Sequence, residues 1–312
     1  MDNLLDPTIL CFVIGLLAGL SKSDLKLPES SYDFVSLYLL LAIGFKGGVQ
    51  LAKTEFYEIL PALTGTLVIG TMIPLVAYVI LMVSKKFSQA DAGSIAAHYG
   101  SVSAVTFATA VSFVEARGVT YESFVTTLMV VLEIPALCVG IFLAKGGLRR
   151  VSSKQELVRD ILFGKSLFLL GGGLVIGYVA GPDRMKSLDP LFVDLFKGFL
   201  ALFLLEMGVK TSQQMSELKK TGVFLLGFAI VMPMISGAIG IAVGHLAGLS
   251  DGGIFILTIL AASSSYIAAP SAIKIAVPEA NPTLSLTSSL AITFPFNIVI
   301  GIPLFFWLVT MI

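Results

Sequence analysis

The sequence predicts an all-α polytopic membrane protein: ten transmembrane helices as two inverted five-helix repeats, with helices 4 and 9 broken. Three observations lead there. Of the 312 residues, 56% are hydrophobic and 13% charged, against about 25% charged in soluble domains, so the chain cannot cover a water-facing surface. Ten apolar stretches approach the roughly 20 residues that span a bilayer. The chain also repeats itself at an offset of 160, where Gly48 meets Gly208, Asp91 meets Asp251, Gly93 meets Gly253 and Pro135 meets Pro295, and Pro74 meets Pro233 with a one-residue slip. Five spans is an odd number, so the second repeat must enter the membrane from the opposite side.

In order, the expected spans are 6–20, 32–50, 58–83, 92–114 and 121–144, then 166–181, 190–209, 220–247, 252–275 and 283–311. Residues 1–144 form the first repeat, 145–165 a linker and 166–312 the second repeat. Orientation follows from Lys and Arg. With the first terminus outside, fourteen fall in inside loops and four, Lys53, Arg117, Arg184 and Lys186, in outside loops. Both termini are therefore expected outside and the linker in the cytoplasm. The linker holds six of the fourteen (Lys145, Arg149, Arg150, Lys154, Arg159 and Lys165) against Glu156 and Asp160, which anchors topology and suits a membrane lipid headgroup or a cytoplasmic regulator. No positive residue precedes the first span, so that span is not expected to be a cleaved signal peptide.

Composition and motifs exclude several classes. A formal net charge of zero does not suit a nucleic-acid partner. His98 and His245 have no metal-site spacing, and Cys11 and Cys138 sit in apolar segments as small buried hydrophobes. The absence of a Walker loop, a Ser-His-Asp order or a zinc signature leaves no basis for an ATP-driven pump or an enzyme.

The fourth and ninth spans carry the polar chemistry. One contains Tyr99-Gly100-Ser101-Val102-Ser103-Ala104-Val105-Thr106, the other Ala262-Ser263-Ser264-Ser265-Tyr266-Ile267-Ala268-Ala269-Pro270. With a slip of two on the repeat offset, Ser101 falls on Ser263 and Ser103 on Ser265. Gly100 and Pro270 weaken the helix locally, so each span is expected to break into two half-helices. Freed backbone inside a membrane must face protein, water or ligand. Amides at a half-helix N-terminus bind an anion; carbonyls and hydroxyls bind a dehydrated cation such as Na+. Ionisable groups within spans are expensive and functional. Glu133, before Pro135, is the sodium-side carboxylate, and Asn297 offers an amide oxygen. We expect the anion on Gly100, Ser101, Val102, Ser103, Ser264, Ser265, Tyr266 and Ala268. Sodium is expected on Ser103, Thr106, Glu133, Ser263, Ser265 and Asn297. Lys46 and Glu206, one repeat length apart, are expected to pair between the second and seventh spans.

The runs Ala261-Ala262-Ser263-Ser264-Ser265, Val277-Pro278-Glu279-Ala280-Asn281-Pro282 and Glu133-Ile134-Pro135-Ala136-Leu137, with Gly44 to Gly48 and Gly100 to Thr106, resemble the sodium-dependent bicarbonate transporter family first known from cyanobacteria. The resemblance covers nearly the whole chain. It implies a gate domain (spans 1, 2, 6 and 7), a core domain (spans 3–5 and 8–10), a homotrimer in a bacterial inner membrane, and bicarbonate bound beside sodium between the broken core helices. Two positions depart from the family. Tyr266 stands where the cyanobacterial pattern has an Asp, and Ala268-Ala269-Pro270 where it has Gly-Pro-Pro. The linker is shorter than the family's, which weakens the case for a PII-like regulatory partner. The other readings are a sodium symporter for another small anion or organic acid, and a non-transporting sensor or channel. The site has no arginine clamp for an organic carboxylate.

Overall fold

The computed structural model describes residues 6–25, 28–146, 159, 163–215 and 217–312. Most of the linker, including Arg149, Arg150, Lys154, Glu156 and Asp160, lies outside the described residues. Lys26 lies outside them as well.

Among the described residues the fold is helical without strands. The first half supplies α1 (Pro7–Leu20), α2 (Glu29–Leu51), α3 (Phe56–Val83), α4 (Gln89–Gly100), α5 (Ala104–Glu115) and α6 (Val125–Lys145). The second supplies α7 (Lys165–Met185), α8 (Phe196–Met215), α9 (Leu218–Leu246), α10 (Asp251–Ala262), α11 (Ala268–Ala276) and α12 (Pro282–Met311). Among the described residues, six helices are long and apolar enough to cross a membrane: α2, α3, α6, α7 continued to Leu188, α9 from Gly222, and α12. The other four expected spans correspond to the shorter α1, the more polar α8, and the pairs α4–α5 and α10–α11. The outward faces of α3, α7 and α9 leave Val79, Val83, Val175, Val179, Val223 and Val231 each more than half uncovered. An apolar exterior of this extent belongs in lipid, and the chain is a multi-pass membrane protein.

Two helix ends differ from the expectation. The sixth span was expected to stop at 181, and Gly181 (φ +70°) kinks α7 there before Pro182. The seventh was expected over 190–209, but Lys186–Leu188 and Pro190–Asp194 form short non-α turns and α8 runs Phe196–Met215. Its polar end is covered by protein: Thr211 Oγ1 donates to Leu290 O at 3.2 Å, and Ser212 is buried. Hydropathy alone could not count that polar turn as helix inside a protein.

α1 packs along α8 and α2 along α7, and glycine makes both contacts close. A Cβ at Gly48 would lie 2.1 Å from Leu174 O and 2.9 Å from Gly177 Cα. A Cβ at Gly208 would lie 2.2 Å from Phe12 O and 2.9 Å from Gly15 C. Small residues four apart allow such approach where no hydrophobic force drives apolar helices together. A second group forms around α3, α4 and α6, with α9 against α10, α12 and α3.

Lys46 of α2 forms its ion pair with Glu115 at the end of α5. The expected pairing with Glu206 is therefore corrected; Glu206 is buried on α8. A shared sequence offset does not make two residues neighbours, and Lys46 lines a cavity between α2 and α5. Cys11 and Cys138 are free thiols and half-buried.

Candidate functional site

The two interruptions are built by the same local chemistry. α4 starts at Ser88, whose Oγ accepts from Asp91 N at 3.1 Å, and α10 at Ser250, whose Oγ accepts from Gly253 N at 3.3 Å. Side-chain oxygens of this kind satisfy first-turn amides that have no intrahelical partner. Both helices run 12 residues and end on an extended serine, Ser101 (φ −86°, ψ 157°) and Ser263 (φ −79°, ψ 169°). These caps are offset by 162 positions (88 to 250, 101 to 263). In these half-helices Asp91 is thus the mate of Gly253, not of Asp251. The slip seen in the serines applies to the whole half-helix. A cap fixes register through hydrogen-bond geometry, whereas an acidic residue complements the helix dipole anywhere in the first turn.

Beyond the breaks, Ser103 Oγ accepts from Thr106 N at 3.2 Å and Thr106 Oγ1 at 2.9 Å, and so caps α5. Ser265 Oγ accepts from Ala268 N at 3.3 Å and Ala269 N at 3.1 Å, and caps α11. Pro270 sits in the first turn of α11, where its missing amide costs no helical bond; the interruption is Ser263–Ile267, ahead of it. Gly100 is the last residue of α4, with Pro74 of α3 and Ala136 of α6 within 3.1 Å of where a Cβ would be. Its role in the structure is close packing.

The two interrupted segments hold each other. Ser103 N donates to Ser263 Oγ at 3.1 Å, and Ser265 N donates to His98 O at 2.8 Å. Ser103 Oγ also donates to the Tyr266 hydroxyl at 3.1 Å, and the Tyr266 ring meets the edge of Phe294 with centroids 5.1 Å apart. Ser101, Ser103, Ser263, Ser264 and Ser265 are all buried. So the carbonyl ends of α4 and α10 and the amide ends of α5 and α11 converge on one point. Carbonyl ends favour a cation and amide ends an anion.

Glu133 of α6 adds a buried carboxyl, and Ser101 Oγ makes a long hydrogen bond to its Oε1 at 3.5 Å. Thr293, 160 positions after Glu133, carries no charge; it accepts from the Tyr99 hydroxyl at 2.7 Å and donates to Ala229 O at 2.7 Å. The site is thus asymmetric in charge. Asn297 Nδ2 donates to Ala262 O at 2.9 Å, at the carbonyl end of α10, while its Oδ1 is buried with no protein partner. Ser264 Oγ and His98 Nε2 are likewise buried and unpartnered. Asn297 begins one of two π-helical turns, Thr287–Thr293 and Asn297–Gly301, that flank Pro295 in α12. π turns of this kind cluster at functional sites.

Val102, Ser103, Glu133, Ser265, Tyr266 and Ala268 line one small cavity of about 20 Å³, room for about one water. Ser101, Thr106, Ser263 and Asn297 reach it through bonds to its lining or to the half-helix ends. Gly100 and Ser264 do not line it. Two larger cavities flank it. One of about 240 Å³, lined by Tyr32, Asp33, Lys165 and Ser271, shares Glu133, Ser166, Ile267 and Ala268 with it. The other, about 250 Å³, is lined by Lys46, Glu115, Tyr121 and Lys197. A space of about 10 Å³ adjoins that second cavity through Ile43 and Ala108 and the central one through Leu40, Ala104 and Ile267. Two wide cavities and two narrow ones thus share lining residues in series, with the narrow ones at the helix breaks.

Three contributors were not singled out from the sequence: the main-chain carbonyl of His98, Ser166, and Ile267. The first acts through its backbone and leaves no mark on residue type. Ser166 is an ordinary helix residue that tertiary packing brings to the breaks, and Ile267 is an apolar residue inside the second interruption itself.

No curated protein sequence matches the chain. Residues 7–310 match the family described as the Na+-dependent bicarbonate transporter superfamily, a family of transporters and not of enzymes. The match runs through both helix breaks, Glu133 and Asn297, and covers nearly all of the sequence. The chain belongs to the Na+-dependent bicarbonate transporter superfamily.

Proposed function

We propose that the protein is a sodium-coupled symporter that imports bicarbonate by alternating access, with both ions held between the broken helices. The observation that supports this most is the crossing itself. Two serine-capped interruptions bond to each other beside the buried Glu133, on the line between cavities of about 250 and 240 Å³. The anion takes the amide ends and hydroxyls around Ser101, Ser103, Ser264, Ser265 and Tyr266. Sodium takes the carbonyl ends with Ser263, Thr106, Asn297 and Glu133. Coupling is physically needed: moving one negative charge inward against an inside-negative potential costs about 2.3 kcal/mol per 100 mV, and one sodium cancels that term.

In this reading α1, α2, α7 and α8 are the gate and the remaining helices the core, as ten spans in two inverted repeats. The exchange of partners, α1 on α8 and α2 on α7, is what a pseudo-two-fold axis would produce. We place the protein in a bacterial inner membrane as a homotrimer in contact with lipid, with both termini outside and the linker open to a PII-like regulator. A cysteine at Ser153, with Cys11 and Cys138 replaced, is expected to resist an impermeant thiol reagent in intact cells; rapid labelling from outside contradicts the orientation.

Radiolabelled bicarbonate uptake into proteoliposomes tests the function, with sodium or potassium outside. Saturable uptake that requires sodium is expected. Equal uptake in both salts overturns the reading. One observation favours a second substrate, another small monovalent anion: Tyr266, bonded to Ser103 at 3.1 Å, stands where the family pattern has a carboxylate. Unlabelled competitor anions in the same assay decide between them.

A further inference from the structure

The cavity between α2 and α5 has a composition that the transport site does not explain. Its charged lining residues are Lys46, Lys197 and Glu115, a net positive charge of one, in a space of about 250 Å³. Lys46 is paired with Glu115, and both side chains are well exposed, at 47% and 36%. An exposed pair of this kind is weak and gives way readily to a competing ion. Glu115 has a second donor, the Tyr121 hydroxyl at 2.8 Å, so it keeps a partner when Lys46 leaves. Lys46 therefore forms the exchangeable half of the pair. The pair also ties α2 to α5, both of which line the narrow space next to this cavity: Ile43 and Ala108, one turn before Lys46 and two turns before Glu115, line both.

We propose that this cavity is an anion-collecting antechamber, in which a small monovalent anion binds between Lys46 and Lys197 and takes Lys46 away from Glu115. An arriving anion thereby opens the tie between α2 and α5 next to that narrow space. The release step rests on the transport reading above; the binding of an anion does not. Positive charge in a cavity with low-dielectric walls concentrates anions ahead of the site.

Labelling chemistry tests the antechamber without any transport. Val193 lines the cavity and is exposed. A cysteine there, with Cys11 and Cys138 replaced by alanine, is reacted with a sulfonate-bearing and a trimethylammonium-bearing thiosulfonate of similar size. Rates are divided by those of a free thiol. The sulfonate reagent is expected to react several-fold faster, and bicarbonate, used as the probe anion, to slow it. K46M combined with K197Q should bring the ratio to about one, and E115Q alone should raise it and strengthen the protection by bicarbonate. A ratio unchanged by K46M/K197Q overturns the proposal, as does an absence of bicarbonate protection in every variant. Uptake by the same proteins separates the two readings. Sodium-dependent uptake with charge-blind labelling leaves the transport function standing and removes the antechamber. Charge-selective, bicarbonate-protected labelling without uptake does the reverse.

Discussion

Replacing Gly48 or Gly208 with leucine is expected to eliminate folded protein. At each position even a Cβ would sit about 2 Å from a carbonyl oxygen of the neighbouring helix, Leu174 O or Phe12 O. Those atoms are backbone and cannot turn aside. Forcing extra atoms into a packed interface costs about 1–3 kcal/mol where side chains can adjust. Here the helices themselves must separate and give up their contact, against a total stability of only about 5–15 kcal/mol. Gly172, on α7 against which α2 packs, has nothing within 4 Å of a Cβ, so Gly172→Leu is the matched control. Size-exclusion profiles and melting temperatures in detergent should show aggregation or loss of expression for the first two and little change for the third. A monodisperse Gly48→Leu protein with the wild-type melting temperature would show that the α2–α7 contact is not as close as described.

The second large effect is expected at the crossing. Ser103 Oγ joins Thr106 N, Thr106 Oγ1 and the Tyr266 hydroxyl, all buried. Ser103→Ala leaves those groups short of a partner, at about 1–3 kcal/mol for each buried group left unsatisfied. Uptake should fall by about 10- to 100-fold, since 1.4 kcal/mol is about tenfold. Glu133→Gln keeps the shape of the side chain and its contact with Ser101 but removes the charge. It should raise the sodium concentration for half-maximal uptake by at least about tenfold while the melting temperature moves little. Wild-type sodium dependence in Glu133→Gln would remove Glu133 from the sodium site.

Much of this architecture was legible in the sequence because the membrane writes it there in hydropathy. The long helices α2, α3, α6 and α9 begin and end within a few residues of the expected spans. The breaks were legible as well, since serine, glycine and proline have few other reasons to gather inside apolar helices. The offset of 162 was read correctly at the serines but two positions short at Asp91 and Gly93: acidic residues near a helix start vary in position, while the caps Ser88 and Ser250 do not. Partner choice was not legible. Lys46 and Glu206 lie 160 positions apart, the offset read from the sequence, yet Lys46 meets Glu115, 69 positions along the chain. The Ser265–His98 bond runs to a carbonyl that every residue type carries. Glycines were visible along α1, α2, α7 and α8, but which helix each would meet depends on how the two halves exchange partners.

The central claim is that one site holds both ions, so each should raise the affinity for the other by the same factor. The direct measurement is the bicarbonate affinity of the purified protein across a range of sodium concentrations, with potassium holding ionic strength constant. Affinity that rises with sodium in the wild type and is much flatter in Glu133→Gln is the predicted result. Bicarbonate affinity that does not change with sodium in the wild type would contradict a shared site at the crossing of the broken helices.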